Sequence, residues 1–315
     1  MATRSSPAPQ SDVPGPVLDT GWFLLGAPWD CSGTGRGEQL APAALRDAGL
    51  AAWTGAAGHD AGDAMTDIRT TDRDPASGVR ALDDTVRAAA NLADALRAAR
   101  RAHPGRRPLV LGGDCSLLLG VFAALDAGTG LWFVDGHPDY VDGTTSDTGE
   151  TADMDLAALT GAAELPGLFG ESGPPVRPED VVLLGHRVRG IDAAAAAETA
   201  RLPDRLRRHD ADAVRADPSA CGRDAEARLR DVEVGVWLHL DADVLDPTAL
   251  PAVTYPQPDG PDWTQITELL RPLGHSPALI GMSIADYRPD LDPSGEGARR
   301  LVALLAEVLP GPTPG

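Results

Sequence analysis

Two short stretches of this sequence bring carboxylates and an imidazole to spacings that suit a bound cation. Asp135-Gly136-His137-Pro138-Asp139 follows the apolar run LWFV, and Asp241-Ala242-Asp243 follows VGVWLHL, with Asp246-Pro247 in the turn beyond. Along an extended segment, residues i, i+2 and i+4 point to one side. Asp135, His137 and Asp139 are therefore expected to converge, and Asp241 and Asp243 to share a face. A third apolar run, PLVL, leads into Gly112-Gly113-Asp114-Cys115-Ser116. Carboxylates crowded into a low-dielectric cleft repel one another unless a cation neutralises them. Oxygen donors with one imidazole suit Mn²⁺, with Fe²⁺, Co²⁺ and Zn²⁺ as competitors. Bridging carboxylates would admit two ions roughly 3.5–4 Å apart. The alternative for either cluster alone is a capped turn, because Asp is common after strands and before helices.

The elements that must position these residues are also legible. The runs WFLL (from Trp22), PLVL (Pro108), LWFV (Leu131), VVLL (Val181), VGVWLHL (Val234) and LIGMSI (Leu279) are nearly continuous in apolar character. Such runs suit strands buried on both faces of a parallel sheet. Val79, Leu82, Val86, Ala89, Leu92 and Leu96 recur at helical spacing, which predicts a long amphipathic helix before the Pro108 strand. The region from Ile191 to Arg230 reads as helical with a break near Asp217-Pro218, and its RLPDRLRR run as a solvated helix face. A terminal helix is expected over Glu296–Leu309. The alternation predicts an α/β fold: one doubly wound domain over residues 19–310 with a mainly parallel sheet. Residues 1–18 read as a disordered lead and 311–315 as a flexible tail. In such a sheet, ligands bind at the carboxyl ends of the strands, where the three polar clusters fall.

Composition narrows the function. The 315 residues carry 27 Lys+Arg against 47 Asp+Glu, a formal charge of −20. This argues against nucleic acid and anionic membrane surfaces as partners. Every one of the basic residues is Arg, which removes Schiff-base lysine chemistry and Lys-dependent phosphate loops. Cys31, Cys115 and Cys221 are too few for a disulfide framework and point to a reducing compartment. With no run near the ~20 apolar residues of a membrane span and no signal-like start, a cytoplasmic protein is expected.

GGDCS at Gly112–Ser116, DGHPD at Asp135–Asp139 and HLDADVLDP at His239–Pro247 together resemble the ureohydrolase family, which includes arginase, agmatinase and formimidoylglutamase. The likeness extends to GMSIADYRPDLDP near the C-terminus. The resemblance implies an arginase-like, three-layer α/β/α fold with two Mn²⁺ ions bridged by a hydroxide that attacks the carbon of a small guanidino or amidine substrate. Carried over position by position, Asp135 and Asp241 would bridge both ions, Cys115 and Asp139 would complete one shell, and His137 and Asp243 the other. Asp139 would carry a proton to the leaving amine, and Asp286 would bind the guanidinium. Asp114, His239 and Asp246 would support the ligands by hydrogen bonds, and relatives suggest a homo-oligomer, a trimer or hexamer.

Departures from the family pattern bear on metal and substrate. Cys115 replaces the usual metal-binding His; a thiolate there favours Zn²⁺ or Fe²⁺, whereas a neutral thiol would leave that site weak. His239 stands where the family often has Ser, either bonded to a metal carboxylate or as a satisfied core histidine. Asp286 stands where Glu is usual. Arginases carry an Asn-x-His element where this chain has Glu150-Thr151-Ala152 in its substrate loop, and Gly185–Val188 lacks their acidic reader of the α-amino group. A substrate other than free arginine is expected.

The Gly33–Gly37 turn does not match a dinucleotide loop and reads as a segment at the site rim, and Ser116 lacks triad partners. Two other readings stay open. A deacetylase-type relative would need an adjacent His-His pair that none of the 7 histidines provides. A non-catalytic metal-stabilised scaffold would bind at most one ion and hydrolyse nothing.

Overall fold

The computed structural model describes residues 21–53, 59–170 and 173–310; the expected lead at 1–18 and tail at 311–315 lie outside them. Eight strands form one sheet: β1 (Trp22–Ala27), β2 (Asp60–Asp63), β3 (Arg107–Gly112), β4 (Gly130–Val134), β5 (Val181–Leu184), β6 (Arg207–His209), β7 (Val236–Asp241) and β8 (Leu279–Ala285). Their order is β2-β1-β3-β8-β7-β4-β5-β6, and every pairing is parallel. The six apolar runs are the six inner strands.

Alternate residues of each strand feed two separate cores, which makes the three layers. Trp22 and Leu24 pack with Leu238 and Leu240 on one face, and Phe23 and Leu25 pack with Phe133 and Trp237 on the other. The long helix α1 (Leu82–Ala102) buries Ala88, Leu92 and Leu96 in the second core, as its spacing predicts. The C-terminal helix α2 (Glu296–Val308) buries Leu301, Leu304 and Leu305 in the first.

The edges differ from expectation. The Ile191–Arg230 region is not helical throughout: Ala193–Arg201, Ala211–Ala216 and Pro218–Leu229 are helices, with β6 between the first two. RLPDRLRR is thus not one helix face; Arg207 and Arg208 belong to an edge strand that pairs with β5. The Asp217-Pro218 break is present, with Asp217 accepting the Ala220 N–H as a helix cap. Among the described residues no helix is long and apolar enough to cross a membrane.

Candidate metal centre

The four central strands, β3-β8-β7-β4, deliver the site at their carboxyl ends. Cys115 follows β3, Asp135, His137 and Asp139 follow β4, Asp241 closes β7 with Asp243 just beyond, and Asp286 follows β8. All of them line one cavity of about 450 Å³.

Two aspartates are aimed by the same local device. Asp135 Oδ1 accepts the His137 N–H at 2.6 Å, and Asp241 Oδ1 accepts the Asp243 N–H at 2.6 Å. Each carboxylate uses one oxygen to close its own turn and directs Oδ2 toward Cys115 Sγ, at 4.0 Å from Asp135 and 2.5 Å from Asp241. Gly136 lets Asp243 approach: its N–H reaches Asp243 Oδ1 at 3.1 Å, and a Cβ there would lie 2.8 Å from that oxygen.

Asp135, His137 and Asp139 line the same cavity but fall into two donor groups, and strand alternation does not place them, because β4 ends at Val134. Asp139 has φ +46°, and this left-handed residue carries it to Cys115 and Asp155, while His137 turns to Asp135 and Asp243. Asp286 also has a positive φ, +65°. Such conformations are uncommon outside Gly and cluster at functional sites. Asp286 Oδ2 accepts the Thr254 N–H at 3.0 Å, and its carboxylate groups with Asp241 and Asp243.

The supporting residues are arranged differently from expectation. Asp114 braces the turn after β3, accepting from Cys31 N–H at 2.5 Å and from the Ser116 N–H and hydroxyl. His239 does not bond a carboxylate; its Nε2 faces Cys115 Sγ at 3.2 Å and its Nδ1 meets Ser283 Oγ at 2.8 Å. Asp246 caps its own turn through the Thr248 N–H and hydroxyl and stands outside the donor groups. Glu150 lines the cavity, paired with Arg36.

Sequence reasoning missed four residues. Asp155 is fully buried beside Cys115 and Asp139, and neither of its carboxylate oxygens has a hydrogen-bond partner. Arg187 is buried behind Asp243, its guanidinium donating to the carbonyls of Gly185, Asp243, Leu245, Gln257 and Pro258. Gln257 Nε2 lies 2.7 Å from His137 Nε2, and Glu198 lines the cavity while accepting the Tyr140 N–H. Of these, only Arg187 lies in a segment singled out above for substrate recognition, Gly185–Val188.

Electrostatics set the chemistry of the cluster. Burial, reinforced by neighbouring carboxylates, pushes Asp135, Asp139, Asp241 and Asp286 well above the usual range. Burial likewise lifts the Cys115 thiol and, chiefly, the Asp155 carboxyl. For Asp243, burial is outweighed by His137 and then Arg187, and its carboxyl stays below the usual range. Burial also opposes charging of His137, yet Asp243, 2.7 Å from its Nδ1, holds it up at about 8.

These donors fit divalent cations. Cys115, Asp135, His239 and Asp241 place one ligand atom each within 4.8 Å of one another, and Asp135, His137 and Asp243 form a second such group. The orphaned oxygens of Asp155 and the mutual repulsion of the acids are what a cation would relieve.

Comparison with known proteins agrees with this geometry. Residues 21–310 match the arginase family. An arginase from Brevibacillus brevis is 30% identical over 293 residues, covering 90% of this chain and 96% of that protein. The crystal structure of arginase from Bacillus cereus superposes with a TM-score of 0.79 at 26% identity, covering 91% of this chain and 98% of that one. An N(omega)-hydroxy-L-arginine amidinohydrolase from Streptomyces lavendulae is 32% identical over 179 residues, 56% of this chain and 57% of that protein. With the match running over residues 21–310 and so over the whole sheet, the chain belongs to the arginase family.

Proposed function

We propose that this protein is a metal-dependent ureohydrolase that cleaves a C–N bond of a linear guanidino or amidine compound other than free arginine. The observation that carries the reading is the buried Cys115–Asp135–Asp139–Asp241–Asp243 cluster with His137, opening onto a cavity of about 450 Å³. Asp135, His137 and Asp243 would hold one divalent ion, and Cys115, Asp135, Asp139 and Asp241 the other, with Mn²⁺, Zn²⁺ or Fe²⁺ as the candidates. Bound ions lower the pKa of a water from ~15.7 to about 7 and so supply a nucleophile at neutral pH.

The chain's own residues do the rest. Asp286 presents a carboxylate to the planar guanidinium, held in place by the Thr254 N–H. Asp139, whose carboxylate lines the cavity beside Cys115, is placed to carry a proton to the leaving nitrogen. The bases that line the cavity are already engaged: Arg36 with Glu150, Glu38 and Asp30, and Arg201 with Asp142 at 2.5 Å. Glu198, Asp147 and Asp192 line the same space. A substrate tail that is cationic or neutral suits these walls better than an α-carboxylate, and Ala152 stands where arginases have the His of their Asn-x-His element.

Kinship with the ureohydrolases supports assembly as a trimer or hexamer acting in the cytoplasm, which sedimentation and fractionation test. The enzyme reading is tested by elemental analysis of protein purified without added metal, then urea or ammonia release from a panel. The panel holds guanidino amines, guanidino acids, N-hydroxyguanidino compounds and arginine. Hydrolysis of one guanidino compound well ahead of arginine is expected. Arginine as clearly the best substrate would overturn the substrate assignment. No turnover under several metals, with at most one ion bound, would leave the scaffold reading.

A further inference from the structure

We infer that His239 and Cys115 together ligate one of the two ions, giving it a nitrogen–sulfur–oxygen shell that selects Zn²⁺, Co²⁺ or Fe²⁺ over Mn²⁺. The inference rests on the metal-dependent reading above and deepens it.

The ureohydrolase pattern has His at the position of Cys115 and often Ser at that of His239. Here the imidazole comes from β7 instead of from the turn after β3. His239 lies on the same strand face as Trp237 and Asp241, because strand residues alternate. In the sheet register it pairs with Phe133 of β4 on one side and Ser283 of β8 on the other. Phe133 packs on its ring at 5.4 Å between centroids, and Ser283 Oγ sits 2.8 Å from Nδ1. Ser283 Oγ is itself fixed by the Trp237 indole N–H at 2.9 Å. The ring is fully buried and held from both sides.

A metal-bound histidine typically gives its other ring N–H to an acceptor, which fixes the tautomer and aims the free lone pair. Ser283 Oγ, which already accepts from the Trp237 indole, can take the Nδ1 proton in that role, which leaves Nε2 facing Cys115 Sγ at 3.2 Å. With Nδ1 protonated, a histidine that served only as a satisfied core residue would offer Nε2 to a strong donor. Its neighbour is instead a thiol, a weak one, at the point where Asp135 and Asp241 also bring their oxygens. The four donor atoms lie within 4.8 Å of one another. On ligation the Cys115 S–H proton leaves to solvent and the thiolate binds. Thiolate and imidazole donors favour Zn²⁺ and its neighbours, whereas the carboxylate-rich His137 side retains a shell suited to Mn²⁺.

The test uses the full-length protein, stripped of metal and titrated with Co²⁺ under anaerobic conditions. A thiolate-to-Co²⁺ charge-transfer band is expected in the wild type and should vanish in Cys115→Ser. His239→Asn should keep that band, change the ligand-field bands and weaken binding of one ion at least about tenfold. X-ray absorption on the zinc-loaded wild type needs no substitution, and should show sulfur at about 2.3 Å with nitrogen near 2.0–2.1 Å. The imidazole scattering should fall by about half in His239→Asn, a change that a merely supporting hydrogen bond would not produce. Two bound ions with no sulfur signal, or an imidazole signal unaltered in His239→Asn, would overturn this ligand pair while leaving the ureohydrolase reading standing. At most one ion bound and no hydrolysis of any guanidino compound would overturn both.

Discussion

Arg36 and Glu150 meet in an ion pair of 2.9 Å that ties the glycine-rich turn after β1 to the loop after β4. The same guanidinium lies 3.4 Å from both Glu38 and Asp30, and it stacks 5.5 Å from the Tyr255 ring centroid. It is the cation that holds three largely buried acids at the rim of the cavity.

Arg36→Ala should therefore be costly. Removing one partner of a buried charge group leaves the others uncompensated, at about 3 kcal/mol or more. Urea denaturation should show a loss of that order, and kcat/KM should fall as the loop carrying Glu150 loosens. An Arg36→Ala protein with unchanged midpoint and kinetics would mean that the pair is screened by solvent and does not brace the loop.

The inner sheet and the candidate metal donors were legible because each signal is local. A strand buried on both faces writes a continuous apolar run, and the donors follow within a few residues, as with Leu131–Val134 and then Asp135, His137 and Asp139. The edge strands left no such trace. β2 is the exposed polar segment Asp60–Asp63, held by Arg46, and β6 is Arg207–His209, with Arg207 and His209 both paired to Asp224. Long-range contacts were equally silent. Nothing near Cys115 in sequence announces His239, 124 positions away, and nothing near Glu38 announces the Thr254 hydroxyl it accepts from.

The proposed substrate-binding role of Asp286 separates from its structural one. Asn tolerates the left-handed conformation that this residue adopts at φ +65°, and its Oδ1 can still accept the Thr254 N–H. Asp286→Asn should fold normally yet lose the charge that pairs with a guanidinium. A drop of about 100-fold in kcat/KM is expected, the scale of an unpaired buried ion, with melting temperature little changed. Equal activity would remove Asp286 from the site.

In the metal-free protein, Asp114 should contribute a loss of stability as pH rises toward neutrality. Burial, and then Asp30, pushes the Asp114 carboxyl up to about 7, whereas an unfolded aspartate titrates near ~3.9. Between about pH 4 and 7 the folded chain keeps a proton that the unfolded chain has released, so stability falls as pH rises through that window. The contribution is on the order of 4 kcal/mol for a shift of about three units. Buried histidines act oppositely: His186 and His239, lowered by burial to about 4 and about 3, stay neutral when the unfolded chain protonates below about pH 6.5. The wild-type slope mixes both, so the readout is the difference between wild type and Asp114→Asn in chelator. The substitution should make stability fall less, or rise more, from pH 5 to 7. Parallel curves would contradict the assignment.

Asp155 poses stability against function. Its two oxygens are buried without partners, and an unsatisfied buried polar group costs about 1–3 kcal/mol. In the metal-free protein, Asp155→Leu exchanges that group for an apolar one of comparable length and should raise the melting temperature. The same change removes an anion that lies with Cys115 and Asp139, so the rise in melting temperature on adding Zn²⁺ or Mn²⁺ should shrink. An ion at 100 times its Kd stabilises by about 2.7 kcal/mol, and a tenfold weaker site gives back about half of that. Thermal melts of both proteins, with chelator and with each metal, separate the outcomes. A variant less stable than wild type without metal, or one that gains as much from metal, would show that Asp155 is not held in place for a cation. A variant more stable bare and less responsive loaded is the pattern expected of a site whose strain is kept for its ligand.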